Sequence, residues 1–293
     1  MPGMKSKTIK KVISAKIADF AASIEDPVIK EIVKTKTIVT GGCIASMLLG
    51  EPINDFDLYF RDLDAAQRIA DYYVARFAKE TGHSLSVVTE DGRVRVCVGA
   101  GYRGETAGNI ETLSDSGEIE DTFQTAEGSA LEAVDDGLPK YRPVFISTNA
   151  ITLANKVQLI VRFYGEPDQI HENYDFAHCT NYWSSWDGAV VLRPAALEAL
   201  LAKELRYVGS KYPVCSVIRL RKFIGRGWKV NAGQILKMLM QISALDLTDP
   251  KVLEDQLTGV DSAYFMQVMT ALKEKDPQKV NAAYLIEIID RMF

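Results

Sequence analysis

The chain opens with apolar positions spaced near 3.6 residues. Ile9, Val12, Ile13 and Ile17, then Ile29, Ile32 and Val33, predict one or two amphipathic helices between residues 8 and 34. The β-branched run Thr37-Ile38-Val39-Thr40 predicts a strand that ends at Gly41 and Gly42, and Cys43 to Leu49 is small and apolar enough to start a helix. Asp55-Phe56-Asp57-Leu58 then alternates as a strand does, so Asp55 and Asp57 share one face while Phe56 and Leu58 point into a core. LDAAQRIADYYVARFAKETG reads as a helix, and HSLSVVTEDGRVRVCVG as a hairpin turning at Asp91-Gly92.

Further on, YRPVFISTNAITLANKVQLIVRFYG gives two strand-like runs around a turn at Ala154-Asn155-Lys156. A short helix starting at Pro167, a strand through Asp175 and a turn at Asp187-Gly188 come next. After Arg193 the period returns to 3.6 almost to the end, in PAALEALLAKELRYVG, PVCSVIRLRKFIGRGW, NAGQILKMLMQIS, DSAYFMQVMTALKEK and NAAYLIEIIDRMF. The expected division is N-terminal helices at 1–36, an α/β domain at 37–193 and a helical domain at 194–293. No internal repeat or Pro-rich linker separates these parts, so they are expected to pack together.

Composition narrows the class. With 47% hydrophobic residues in 293, the chain can fill one large core or two ordinary ones. No apolar run approaches the roughly 20 residues that span a bilayer, and the start has basic residues without an apolar h-region. The expectation is a cytoplasmic protein with no membrane partner, in the host cytoplasm if viral. Cys43, Cys97, Cys179 and Cys215 form no CxxC pair, which argues against a zinc finger or a disulfide framework. Oligomeric state is left open by the sequence.

Charge is segregated. Between Glu105 and Asp136 stand ten acidic residues and no Lys or Arg, so removing them from the net −5 leaves +5 on the rest. That stretch, within about 101–139, is rich in Gly, Ser and Thr and reads as an exposed insertion. Lys203 to Lys229 holds eight basic residues against the single acid Glu204. Within it Arg219, Lys222 and Arg226 fall at i, i+3 and i+7, one helix face that can reach a triphosphate or an RNA backbone or simply lie solvated.

Two carboxylates on one strand face repel unless something positive lies between them. Mg²⁺ takes hard oxygen ligands, usually one or two carboxylates with phosphate oxygens, and a pair of ions can clamp an in-line phosphoryl transfer. Gly41 and Gly42 let backbone amides approach phosphate, and the helix behind them, with Ser46 expected in its first turn, adds a favourable dipole. The same residues also suit a plain strand-to-helix turn with a helix cap. His171, His178 and Cys179 invite a zinc reading, but a helical His171 beside a strand carrying the other two on opposite faces does not make a site. Tyr182, Trp183 and Trp186 suit base stacking or edge packing alike.

GGCIASMLLGEPINDFDLYF resembles the signature of polymerase-β-like nucleotidyltransferases, in its head-domain form from CCA-adding enzymes and poly(A) polymerases. NYDFAHCTNYW and RLRKFIGRGW resemble nucleotidyltransferase-like proteins of phages and large viruses. The resemblance implies a polymerase-β-type α/β core with a mixed sheet, followed by an all-helical domain. It also implies transfer of an NMP from an NTP, ATP among the candidates, to a hydroxyl acceptor such as an RNA or tRNA 3′ end. Asp55, Asp57 and Asp175 would be the catalytic carboxylates holding two Mg²⁺ ions, with Asp168, Glu172 and Asp187 as substitutes for the third. Gly41, Gly42, Ser46, Arg219, Lys222 and Arg226 would bind nucleotide and phosphate, with Arg162 and Lys156 as lesser candidates. Ile44-Ala45-Ser46 stands where CCA-adding enzymes have Val-Arg-Asp. An inactive binding or assembly module of phage or viral origin therefore stays open beside the enzyme.

Overall fold

Helix α1 (Ser6–Ala22) buries Ile9, Ile13, Ile17 and Phe20, one face at helical spacing. Helix α2 (Pro27–Thr35) starts where Asp26 accepts from the amides of Val28 at 2.8 Å and Ile29 at 3.1 Å, with Pro27 in the first turn, where its missing N–H costs nothing. Replacing Asp26 with Ala is expected to lower the unfolding midpoint by about 2–4 °C in calorimetry, the loss of roughly 1 kcal/mol of capping. An unchanged midpoint would mean that this cap does not hold α2. The computed structural model describes residues 3–98 and 139–256, apart from positions 83, 91, 148, 248, 250, 251, 253 and 254. The acidic stretch, except residue 139, and the last two amphipathic stretches of the sequence lie outside the described residues.

A seven-stranded sheet is built from β1 (Thr37–Thr40), β2 (Phe56–Phe60), β5 (Pro143–Ile146), β6 (Ala150–Leu153), β7 (Val157–Tyr164), β8 (Tyr182–Ser184) and β9 (Val190–Val191). Its order is β5-β6-β7-β2-β1-β8-β9, and the β2–β7 pairing is parallel while the others are antiparallel. Between β1 and β2 runs α3 (Gly42–Leu49), and α4 (Leu63–Thr81) follows β2, capped by the Asp62 side chain at one end and left-handed Gly82 at the other. The hairpin β3 (Leu85–Glu90) and β4 (Arg93–Val98) pairs Glu90 with Arg93, as the alternation predicts, with position 91 outside the described residues. The expected α/β class with a mixed sheet is therefore the fold, with one more strand in the 143–164 region than the sequence suggested. Phe20, Ile44, Met47, Leu58, Phe60 and Tyr73 are fully buried in the core beneath the sheet.

The chain divides into two compact units, one of Met1–His171 and His178–Leu200, the other of Glu172–Ala177 and Leu201–Phe293. In the first, α5 (Pro167–His171) precedes the crossing and β8 follows it, with a 3₁₀ turn at Ala177–Cys179 where the chain returns. Helix α6 (Pro194–Ala202) runs to the unit boundary. The second unit contains α7 (Pro213–Gly225) and α8 (Ala232–Ile242). Residues 203–209, expected to continue a helix, do not, because Lys203 (φ 50°) and Gly209 (φ 108°) break it. The strand expected through Asp175 is a single bridge, Phe176 opposite Tyr207. The bonds from Ala177 N–H to Arg206 O (2.9 Å) and from Val208 N–H to Asp175 O (3.0 Å) hold it.

Candidate active site

The register of β1 on β2 sets the site. Thr40 pairs with Asp57, so the glycine turn that leaves β1 starts beside that carboxylate. Phe56 and Leu58 are buried while Asp55 and Asp57 are half-exposed, as alternation requires, with Asp55 just ahead of the strand. Phe56 N–H donates to Lys156 O at 2.9 Å and Lys156 Nζ to Ile53 O at 3.2 Å, which fixes the loop delivering Asp55. Lys156 is thus a support for that loop, a role its sequence position did not announce.

Gly41 lies at φ 90°, ψ −149°, a backbone conformation open essentially to glycine, and heads α3 with no side-chain cap. The first-turn amides of α3 therefore receive no cap from the N-cap residue itself and lie at the positive end of the helix dipole. Gly42 is exposed, and a Cβ built on it would meet nothing within 4 Å. Packing does not demand glycine there. Gly41→Ala is expected to destabilise the fold by roughly 1–3 kcal/mol, and Gly42→Ala to stay within about 0.5 kcal/mol of wild type in urea unfolding. Equal losses would contradict the open space at Gly42.

Cys43, in the first turn, reports on the field. Its buried thiol is pushed well above the usual range, first by burial and then by the charges of Asp57 and Asp55. Both carboxylates thus lie near the start of α3. Ser46 stands in the second turn and not the first, because the helix begins at Gly42; its carbonyl accepts from Glu51 N–H at 2.9 Å.

The turn rests on a buried polar group. Thr40 Oγ1 lies 2.8 Å from His171 Nε2, 2.9 Å from Asn181 O and 3.3 Å from Cys179 O, and Gly41 N–H donates to that same Cys179 carbonyl at 3.2 Å. Burial and the nearby Arg193 charge lower the His171 pKa to about 4, so it is neutral at physiological pH. Arg193 also donates to Asp168, which keeps that carboxyl below the ordinary carboxylate range, and lies 5.7 Å from the Tyr182 ring centre.

Other sequence candidates are placed as follows. Asp175 is in the second unit, 5% exposed, where its Oδ2 accepts from Arg219 Nη1 and its Oδ1 is buried with no hydrogen-bond partner among the described residues. Arg219 is on α7 with Lys222 exposed one turn on, while Arg226 is the residue that ends the helix. Arg162 is buried and its Nη1 donates to Asn149 Oδ1 at 3.0 Å, so it is committed to the fold. Asp187 accepts from Ser184 and caps the turn before β9. His178 and Cys179 lie in the 3₁₀ turn, not on a strand. Trp183 is core, and Trp186 has Arg61 stacked at 4.5 Å. Among the described residues no three His, Cys, Asp or Glu side chains form a metal cluster, and no helix is long and apolar enough to cross a membrane.

A family model described as Gad2, Gabija anti-defense 2 family protein, matches residues 11–203 of the 293. The chain belongs to the Gad2 family. The Gad2 match runs from α1 to the end of α6 and so contains the whole β1–α3–β2 arrangement. No curated protein matches this Gad2 chain. Among solved structures it is similar to a tRNA-processing enzyme with CTP, at 14% identity and TM-score 0.39 over 91% of this chain and 57% of that one. It is similar also to a tRNA nucleotidyltransferase complexed with a primer tRNA and an ATP analogue, at 14% identity and TM-score 0.37 over 82% and 57%. A third is the Bacillus stearothermophilus CCA-adding enzyme with CTP, at 12% identity and TM-score 0.36 over 87% and 53%. The Gad2 chain thus spans little more than half the length of these proteins.

Proposed function

We propose that the chain is a metal-dependent nucleotidyltransferase that moves an NMP from an NTP to a hydroxyl acceptor. The observation that carries this reading is the Thr40–Asp57 register, which sets two half-exposed carboxylates at the mouth of a glycine turn opening a helix. The donor set fits Mg²⁺, which needs only one or two protein carboxylates when phosphate oxygens and water complete its shell. Bound there, Mg²⁺ supplies charge neutralisation to the triphosphate and to the leaving pyrophosphate.

The chain's own residues do the remainder. Asp55 and Asp57 hold the cation on their shared side of β2. The amides after Gly41 receive phosphate oxygens, and Gly42 leaves room for them. Asp175, the third carboxylate of the sequence reading, belongs to the second unit and is paired there with Arg219, so the cation of this proposal is assigned to Asp55 and Asp57. Arg219, Lys222 and Arg226 supply positive charge for triphosphate or acceptor backbone. An RNA 3′ end, tRNA included, is the first acceptor to try; the family's description, Gabija anti-defense, supports countering that defense as the setting of the chain.

The test is incubation with total RNA, Mg²⁺ and each NTP labelled in turn at the α or the γ phosphate. The expected result is α-label on RNA, abolished by EDTA. Transfer of γ-label would reassign the site to a kinase-type reaction. No transfer with RNA, with protein acceptors or with small-molecule hydroxyls would leave the fold as a binding module.

A further inference from the structure

We propose that Thr40 and His171 form a clamp that positions the Gly41–Gly42 turn, and that both are positioning residues which do not themselves touch the nucleotide. This rests on the nucleotide reading of the turn given above, but it is measurable apart from it. A threonine hydroxyl has one hydrogen. Thr40 Oγ1 stands within hydrogen-bond distance of two carbonyls, Asn181 O at 2.9 Å and Cys179 O at 3.3 Å, and carbonyls only accept. The hydroxyl hydrogen goes to them, so the 2.8 Å contact with His171 is a donation from Nε2–H to the hydroxyl lone pair. That assigns the neutral Nε2–H tautomer.

The location gives the clamp its consequence. Thr40 is the last residue of β1, its Cα is opposite Asp57, and Gly41 N–H is held by the Cys179 carbonyl that the hydroxyl also approaches. His171 and His178 are the last and first residues of the first unit on either side of the Glu172–Ala177 crossing. One fully buried hydroxyl therefore ties the two sides of that crossing together and fixes where the glycine turn begins. Threonine is β-branched and suits the end of a strand, but valine would satisfy that preference equally. The hydroxyl itself is what the three contacts use.

The test uses the full chain with Thr40→Val, which keeps the branched shape and removes the hydroxyl, and Thr40→Ser, which restores it. Amide hydrogen exchange is followed at Gly41, with nucleotide KM and kcat measured in parallel. Thr40→Val is expected to speed exchange at Gly41 by about tenfold or more, since a buried hydrogen-bond group has lost its partner and local opening becomes easier. It should raise KM for the NTP more than it lowers kcat, and Thr40→Ser should return both toward wild type. His171→Gln, whose side-chain amide can again donate, should fall between wild type and Thr40→Val. Unchanged Gly41 exchange in a folded Thr40→Val protein, or a rise that Thr40→Ser does not reverse, would overturn the clamp. Failure of the wild type to bind or transfer any nucleotide would instead sink the nucleotide reading, and the exchange result would still decide the clamp.

Discussion

Asp57→Asn is expected to cut nucleotidyl transfer by on the order of 10³-fold or more, the scale of removing a central charge from a preorganised site. Asparagine keeps the size and one carbonyl oxygen of aspartate, so the strand and its pairing with Thr40 should survive. What is lost is the negative charge that a hard cation requires. Because Asp57 is half-exposed on the strand face away from the core, the unfolding midpoint should shift by no more than a few degrees. Asp55→Asn should behave similarly, with a smaller effect if its place ahead of the strand lets the loop adjust. A variant with wild-type transfer would remove Asp57 from the chemistry, and one that fails to fold would make it a structural residue.

The second large effect is on stability as the pH falls. His171 and His178 are both buried, and burial lowers each pKa from an ordinary 6.5 to about 4, with the Arg193 charge also acting on His171. Between pH 6.5 and 4 the unfolded chain takes up protons that the folded chain refuses, so the stabilisation is complete above 6.5 and is lost on the way down to 4. Each histidine contributes a slope of at most about 1.4 kcal/mol per pH unit. Together, over the span from 6.5 to 4, they remove at most about 7 kcal/mol, comparable with the whole stability of an ordinary domain. The depressed carboxyls of Asp168 and Asp187 act in a separate window, below their ordinary 3.8. Urea unfolding from pH 7 to 4 should show the steep loss, and His178→Gln should remove about half of the slope. A flat profile down to pH 5, or histidine resonances titrating near 6.5, would contradict the burial of these rings.

Much of this was legible in the residues because it is local. The glycine pair after a β-branched run, the two-residue alternation around Phe56, the β3–β4 hairpin and the capped α4 all follow from patterns of a few residues. The 174–179 region was misread for the opposite reason. Tyr174-Asp175-Phe176 alternates like a strand, but its partners are distant in sequence: Phe176 bridges Tyr207 and packs on Phe223 at 5.6 Å, while Asp175 meets Arg219 on α7. The Gly209 that ends the helical pattern was visible, and the left-handed Lys203 was not, since lysine carries no such preference. His171 was correctly expected on a short helix, but its partner Thr40 is 131 residues away and no spacing announces it. The carboxylate pair was legible; the polar group beneath the neighbouring glycine turn was not.

The most direct measurement of the central claim is Mn²⁺ binding followed by electron paramagnetic resonance, with and without a non-hydrolysable NTP, in wild type and in the Asp55→Asn/Asp57→Asn double variant. The account predicts weak Mn²⁺ binding by the wild type alone, strong binding once the nucleotide is present, and neither in the double variant. Equal Mn²⁺ and nucleotide binding by both proteins would contradict it.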